Sequence, residues 1–481
     1  MPVHTAQRTV AAEFAANPAV QDAIETIVRE LREHQQSITR ARGPIGELKE
    51  TYAQWIARQN AIKGRPIFYP YVGSGIGRGP LVELLDGSVK WDLINGIGVH
   101  MFGHSDPDLV ATALRASLGD TIMQGNLQFN ADAIEFGEFL VKEASKGSKL
   151  RHAFLINGGA MANESALKVC MQKREGKAPR ILAFNDCFMG RSTTMTQIGD
   201  GPAYRVGVTL NTLVDYLPFY DPDDGEASIA RARWQLEQYL ARYPGQHAAC
   251  VFELVQGEGG FNTAPREFFV PLVELCRRHG VPVWFDEIQT FGRTTEMFAY
   301  DALGLGEYVD VLTLGKMSQV CACMFTADMN PQPGLLSATF LGSTISLQVG
   351  RAILTRLRDG GYYGPTGRNA RLQGAFRTHM KALISKHPEW FPPAPLRGPA
   401  PRATTNLYDG AGGMMRFTPF GGDKKKVIDL CHRLFEEGVI AFYCGHEPYH
   451  VRFLPPIGVM EPGHFDEVFP IVERAMARVV A

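Results

Sequence analysis

Two apolar runs in this chain each end in a charged group that is costly to bury. The run 281–285 ends in Asp286, and the run 309–314 ends in Gly315 and then Lys316, 30 residues after Asp286. Short apolar runs of this kind read as buried parallel strands. In open α/β sheets, ligands lie beyond the carboxyl ends of the strands, so the carboxylate and the amine would reach one ligand. An amine partly withdrawn from water has a lowered pKa and can act as a neutral nucleophile or form a Schiff base. A carboxylate beside it can hold a positively charged ring nitrogen. Those are the two requirements of pyridoxal phosphate. The pair also fits two strands whose charged ends simply meet solvent.

Four further motifs carry groups of the same kind. INGGAMANESALK at 156–168 reads as a strand end, two glycines and a helix starting near Ala162. Gly158 and Gly159 let the backbone approach a ligand closely, and the N–H groups and dipole of a helix start favour a phosphate. An ordinary β–α turn accounts for the glycines equally well. FELVQGEGG at 252–260 sets Glu253 and Glu258 at or beyond a strand edge, where either could also be a solvated loop glutamate. CFMGRS at 187–192 puts Phe188 and Arg191 just past the strand ending at Phe184. An aromatic can stack on a planar cofactor and an arginine can grip a carboxylate with two bonds; a core Phe and a surface Arg are the plainer alternative. YHVRFLPP at 449–456 sets Arg452 among apolar residues, where a guanidinium needs an anionic partner, from a ligand or an internal salt bridge.

Other chemistries lack support. Neither GGAMAN nor GSGIGRG at 73–79 is GxGxxG, so a nicotinamide dinucleotide site has no fingerprint. HEPYH at 446–450 matches HExxH, but that zinc pattern needs a helix and Pro448 would interrupt it, so no metal is expected.

The elements that must position these groups follow from composition and periodicity. The chain has 481 residues, 45% apolar and 21% charged, with net charge −1. That is room for two or three domains and a large core, with no electrostatic case for nucleic acid or an anionic membrane. No apolar run approaches a membrane span, and the first twenty residues lack the basic start and apolar core of a signal peptide. The eight cysteines stand singly apart from Cys321 and Cys323, without CxxC, which fits free thiols in a reducing cytoplasm. Residues 18–60 read as helical, with Ile24, Ile27, Val28 and Leu31 on one face. Short strands follow in 67–105. Strands are then expected near 153–156, 181–184, 249–254, 281–285 and 309–314, and helices at 163–174, 228–242 and 266–279. This alternation predicts an α/β fold with a mainly parallel sheet covered by helices. Helices at 344–358, 368–386, 423–438 and 464–480, a proline-rich connector at 392–402 and a strand at 449–454 predict a smaller α+β domain. The expected division is an N-terminal helical arm (1–66), interface strands of the small domain (67–105), a large cofactor-binding domain (106–343) and a C-terminal small domain (344–481).

Taken in order from about residue 70 to the C-terminus, these motifs resemble the class III pyridoxal-phosphate aminotransferases of fold type I. The resemblance implies that Lys316 is the Schiff-base lysine and general acid–base, and that Asp286 holds the pyridine nitrogen. It places Gln289 near the ring hydroxyl, Gly159 and Ala160 at the phosphate, and Phe188 against the ring. Thr344, in GSTISLQVG, would reach the phosphate of the neighbouring subunit, which implies a homodimer with shared sites. Arg191 and Arg452 would bind carboxylates. Glu258 would pair with Arg452 and swing away to admit a diacid. Expected substrates are an ω-amino acid or diamine-type compound resembling lysine, ornithine or 4-aminobutyrate, and a 2-oxo acid such as 2-oxoglutarate, used in ping-pong fashion. An aminomutase, epimerase or decarboxylase reaction, or a catalytically silent cofactor-binding protein, are the alternatives on this scaffold. The chain departs from the family pattern at several positions. Ala160 replaces a hydroxyl residue, Met189 a histidine and Leu254 a proline; no glycine follows Gln289-Thr290; and Ile-Ser-Leu follows Thr344 in place of a glycine-rich Asn turn. The GGA variant and LGKMSQVC lean toward the lysine 6-aminotransferase branch.

Overall fold

Strands that are apolar at nearly every position need cover on both faces, and the central strands have it. A computed structural model describes residues 9–120, 123–396 and 402–480. Leu150–Ile156 (β1), Arg180–Phe184 (β2), Leu213–Leu217 (β3), His247–Glu253 (β4), Val283–Glu287 (β5), Val311–Leu314 (β6) and Cys321–Thr326 (β7) form one sheet, in the order β1-β7-β6-β5-β4-β2-β3. Every residue of β4, β5 and β6 is buried. On one face Ile181, Ala183, Val251, Trp284 and Val311 pack with Ala166, Val169 and Cys170 of the Gly159–Lys173 helix. On the other, Leu182, Phe184, Phe252, Phe285 and Leu312 pack with Phe268, Phe269 and Leu272 of the Arg266–Arg278 helix.

β6, β5, β4, β2 and β3 are mutually parallel, so their carboxyl ends share one edge. β7, which has no counterpart among the expected strands, runs antiparallel between β6 and β1. Its direction follows from chain length. Only residues 315–320 separate it from β6, too few for the crossover that a parallel return requires. Lys316 lies in that short connection.

The N-terminal helical stretch is two helices, Pro18–Gln35 and Lys49–Lys63, because Gly43-Pro44 cannot continue a helix. Ile24 and Val28 pack against Ala111 of the Pro107–Ala116 helix, whereas Ile27 remains 49% exposed. The strands within 67–105 join the C-terminal part. Gly73–Arg78, Leu81–Leu84 and Val89–Asp92 form a sheet with Val439–Ile440, which pairs in parallel with Val89–Asp92. A second four-stranded sheet, of Tyr408–Ala411, Met414–Phe417, Phe442–Cys444 and His450–Phe453, carries Arg452. In the proline-rich connector Ala394–Leu396 pairs with Arg402–Thr404, and residues 397–401 lie outside the described residues. No described helix is long and apolar enough to cross a membrane.

Candidate active site

The register of the parallel strands brings two acidic residues together, and the turn after β6 adds Lys316. Asp286 of β5 lies opposite Thr313 of β6 on one side and Glu253 of β4 on the other. The β5 strand begins and ends two residues later than the apolar run suggests, so Asp286 lies within the ladder and not past it. Lys316 follows β6 with φ of +55°, in the left-handed region. Gly315 precedes it where a Cβ would come within 2.5 Å of Cys321 Sγ, so a side chain there would block the turn.

These residues open on one cavity of about 550 Å³. Asp286 and Lys316 line it together with Gln289 and Cys321. Gly159 and Ala160 line it from the helix start, and Phe188, Arg191 and Glu258 from the loops beyond β2 and β4. Arg452 stands behind Glu258, bonded to it. Thr344 does not line this cavity. It is the first residue of the Thr344–Asp359 helix, and its Oγ1 accepts a bond from Asn130 Nδ2 at 3.0 Å.

Withdrawal from water sets the charge states. Burial pushes the Asp286 carboxyl up to about 6, against the opposing pull of bonds from the Ile288 backbone N–H and Asn163. Ile288 N donates to Oδ1 at 2.9 Å and Asn163 Nδ2 to Oδ2 at 2.7 Å. Burial also brings the Lys316 amine down to about 8. Glu253, next to Asp286, is pushed up to about 8 by burial and by the Asp286 charge. Its Oε2 accepts a bond from Phe188 N at 2.8 Å, and its Oε1 accepts one from Gly257 N at 3.0 Å. Glu253 thereby ties the loop of Phe188 to the loop of Glu258.

The residues present fit a phosphorylated pyridine. The Gly159–Lys173 helix begins three residues before the expected Ala162. Its first intrahelical bond runs from Ala162 N to Gly158 O, and no side chain caps the start. The N–H groups before Ala162 are therefore left for an anion. Gly190, with φ of +120°, packs so tightly on this turn that a Cβ would lie 2.7 Å from that of Ala160. Gln289 Oε1 is buried without a partner. Asp286 is held by two neutral donors, and a protonated ring nitrogen would supply the counter-charge its burial calls for.

Glu258 and Arg452 form a two-bond ion pair, with Nη1–Oε1 at 2.8 Å and Nη2–Oε2 at 3.1 Å. Arg452 is fully buried on its strand. Burial opposes the Glu258 charge, but the Arg452 guanidinium prevails and holds the carboxyl below its usual range. His450 begins the same strand and His446 lies in the turn before it, so the helix face that a zinc pair needs is not formed.

Asn163 belongs to the site although no sequence motif singles it out. Its Nδ2 donates both to Asp286 and to Met189 O at 2.8 Å, joining the Asp286 strand to the Phe188 loop. A signal was present: Asn163 falls four residues after Gly159, on the same helix face.

The model of the class III aminotransferase family matches residues 72–476. An acetylornithine aminotransferase from Vibrio vulnificus is 29% identical over 422 residues, 84% of this chain and 93% of that protein. One from Caldanaerobacter subterraneus is 25% identical over 84% of this chain and 94% of that protein. Among solved structures, a lysine aminotransferase from M. tuberculosis is similar with a TM-score of 0.74 at 22% identity, over 88% of this chain and 99% of that one. An ornithine aminotransferase from Toxoplasma gondii is similar with a TM-score of 0.72 at 23% identity, over 89% and 96%. The chain belongs to the class III aminotransferases, pyridoxal-phosphate-dependent transaminases of fold type I.

Proposed function

We propose that this enzyme moves the amino group of an ω-amino acid to a 2-oxo diacid such as 2-oxoglutarate. The observation that carries the substrate reading is the Glu258–Arg452 pair beside Arg191 at one cavity. An ω-amino acid has one carboxylate, which Arg191 takes while Glu258 neutralises Arg452. A diacid brings a second carboxylate that replaces Glu258 on Arg452. One site then serves both substrates by exchanging an internal ion pair for an external one. The names of the relatives, acetylornithine, lysine and ornithine aminotransferases, support a substrate whose reacting amine is remote from its α-carboxylate.

Pyridoxal phosphate, when bound, supplies the electron-withdrawing ring that makes a proton beside the substrate amine removable. Lys316, with its amine brought down to about 8, is available as a nucleophile and as the group that carries that proton. Asp286 keeps the ring nitrogen protonated. Asn163 holds Asp286 in place, the N–H groups at Gly159 and Ala160 would take the phosphate, Phe188 would cover the ring and Gln289 would meet its hydroxyl.

The enzyme is, in this reading, a homodimer in which Thr344 completes the phosphate site of the neighbouring subunit. In support, Leu127, Phe129, Ile134 and Phe340 are exposed apolar residues near the Gly342–Ser343 strand, Leu127 by 94%. A cytoplasmic location is supported by eight free, buried cysteines. The division at residues 66, 105 and 343 is supported by the separate sheets on either side, with 67–105 allied to the C-terminal part.

A screen of lysine, ornithine, N-acetylornithine and 4-aminobutyrate with 2-oxoglutarate tests the proposal. At least one should change the visible absorption of the bound cofactor and yield glutamate. No change with any of them would remove the ω-amine reading; a change without glutamate would remove the acceptor.

A further inference from the structure

Arg191 stacks on an aromatic ring, and among the described residues it forms no ion pair with an acid. Its guanidinium lies 3.9 Å from the centre of the Tyr204 ring and 5.7 Å from that of Phe188. Glu258, an acidic residue lining the same cavity, gives both oxygens to Arg452. Stacking occupies the face of a guanidinium and leaves its N–H edge free to fork a carboxylate.

Tyr204 is built to stay where it is. It stands on the short Pro202–Arg205 helix. Thr196 Oγ1 donates to Tyr204 O at 3.1 Å, and Asp200 N donates to Cys187 O at 2.9 Å. Asp200 also accepts a bond from Asp186 N at 3.0 Å and pairs with Arg205 at 3.1 Å. The Tyr204 segment is thus fastened to the residues that precede Phe188. A Cβ at Gly201 would lie 2.5 Å from Tyr204 Cδ2, so only glycine leaves room for the ring. The rings of Phe188 and His446 meet it edge-on at 5.5 and 6.3 Å.

We propose that Tyr204 is a positioning and specificity residue, whose ring holds the Arg191 guanidinium at the cavity so that it grips the far carboxylate of an amine substrate. An arginine without such a hold spends its time in many rotamers, and ordering it on binding weakens the grip. The proposal rests on the transaminase reading above. Amines without the carboxylate gain nothing from Tyr204.

The test titrates the holoenzyme with 4-aminobutyrate and with butylamine, which differ by the carboxylate, following cofactor absorption and then KM and kcat. Tyr204→Ala should weaken 4-aminobutyrate about two- to fivefold more than butylamine, the scale of one cation–π contact at an exposed arginine. Tyr204→Phe, which keeps the ring, should bind like the wild type. Gly201→Ala should shift the preference in the same direction as Tyr204→Ala. Arg191→Ala should lose the preference for the carboxylate, and adding Tyr204→Ala to it should cause no further loss. Equal weakening of both amines, a Phe variant as poor as the Ala variant, or additive losses in the double variant would overturn the proposal. A wild-type enzyme that responds to neither amine nor to any other ω-amine would instead overturn the transaminase substrate reading.

Discussion

Asp286 and Lys316 leave the same edge of the sheet from neighbouring parallel strands, with Thr313 opposite Asp286 in the ladder. Their environment drives each toward its neutral form, the carboxyl up to about 6 and the amine down to about 8. Desolvation therefore outweighs their mutual attraction, which is the condition expected of groups poised to meet a charged ring and a carbonyl.

Lys316 should give the apoprotein a distinct pH dependence. Its folded value of about 8 lies below the ordinary lysine value of 10.5. Between these values the unfolded chain carries a proton that the folded chain does not, so stability rises with pH across that window. Lys316→Met should remove this rise and stabilise the apoprotein near neutral pH by up to about 3 kcal/mol. Urea unfolding of both apoproteins across the window measures the difference; parallel curves would contradict it.

Arg452→Ala leaves Glu258 without its partner in a largely buried site. Loss of one partner from a buried pair costs about 3–5 kcal/mol, and the slight exposure of Glu258 puts the expected loss near the low end. The diacid half-reaction should fall more than the ω-amine half-reaction when each is followed alone by rapid mixing. Acidification should mimic the loss of stability, but not the diacid defect, because Arg452 keeps its charge. The Glu258 carboxyl is depressed by Arg452, so its contribution is present above the ordinary glutamate pKa and disappears as pH falls through the folded value. Equal damage to both half-reactions would argue against an exchangeable ion pair.

Asn163→Leu keeps much of the volume but removes the bonds to Asp286 and Met189 O. Losing a buried bond to a charged group costs about 1.5–3 kcal/mol. Cofactor affinity, measured by titrating the apoprotein, should fall by about tenfold or more. An unchanged affinity would show that Asp286 needs no such support.

Asp286 and Lys316 are legible in the sequence because each follows a largely apolar run, and Glu253 because it interrupts one near its end; buried strands announce themselves that way. Arg452 is legible as an arginine among apolar residues, and its partner proves to be Glu258. The bond from Asn163 to Asp286 joins residues 123 apart; the helix spacing from Gly159 marks the face of Asn163 but not its partner. Tyr204 stands on four helical residues without periodicity. β7 is a run with two cysteines whose direction is set by the short connection before it. The 67–105 strands find their place only through Val439–Ile440, far along the chain. The segment after Gln289, where the family glycine is absent, holds a fully buried Arg293 that donates to Gly98 O. Burial of that guanidinium is a tertiary fact with no local sequence signal.

The most direct test of the central claim is to reduce the holoenzyme with borohydride, digest it and locate the attached cofactor by mass spectrometry. A phosphopyridoxyl group is expected on the peptide containing Lys316, and none in Lys316→Ala. A label on another lysine, or a wild-type enzyme that holds the cofactor without any covalent label, would contradict it.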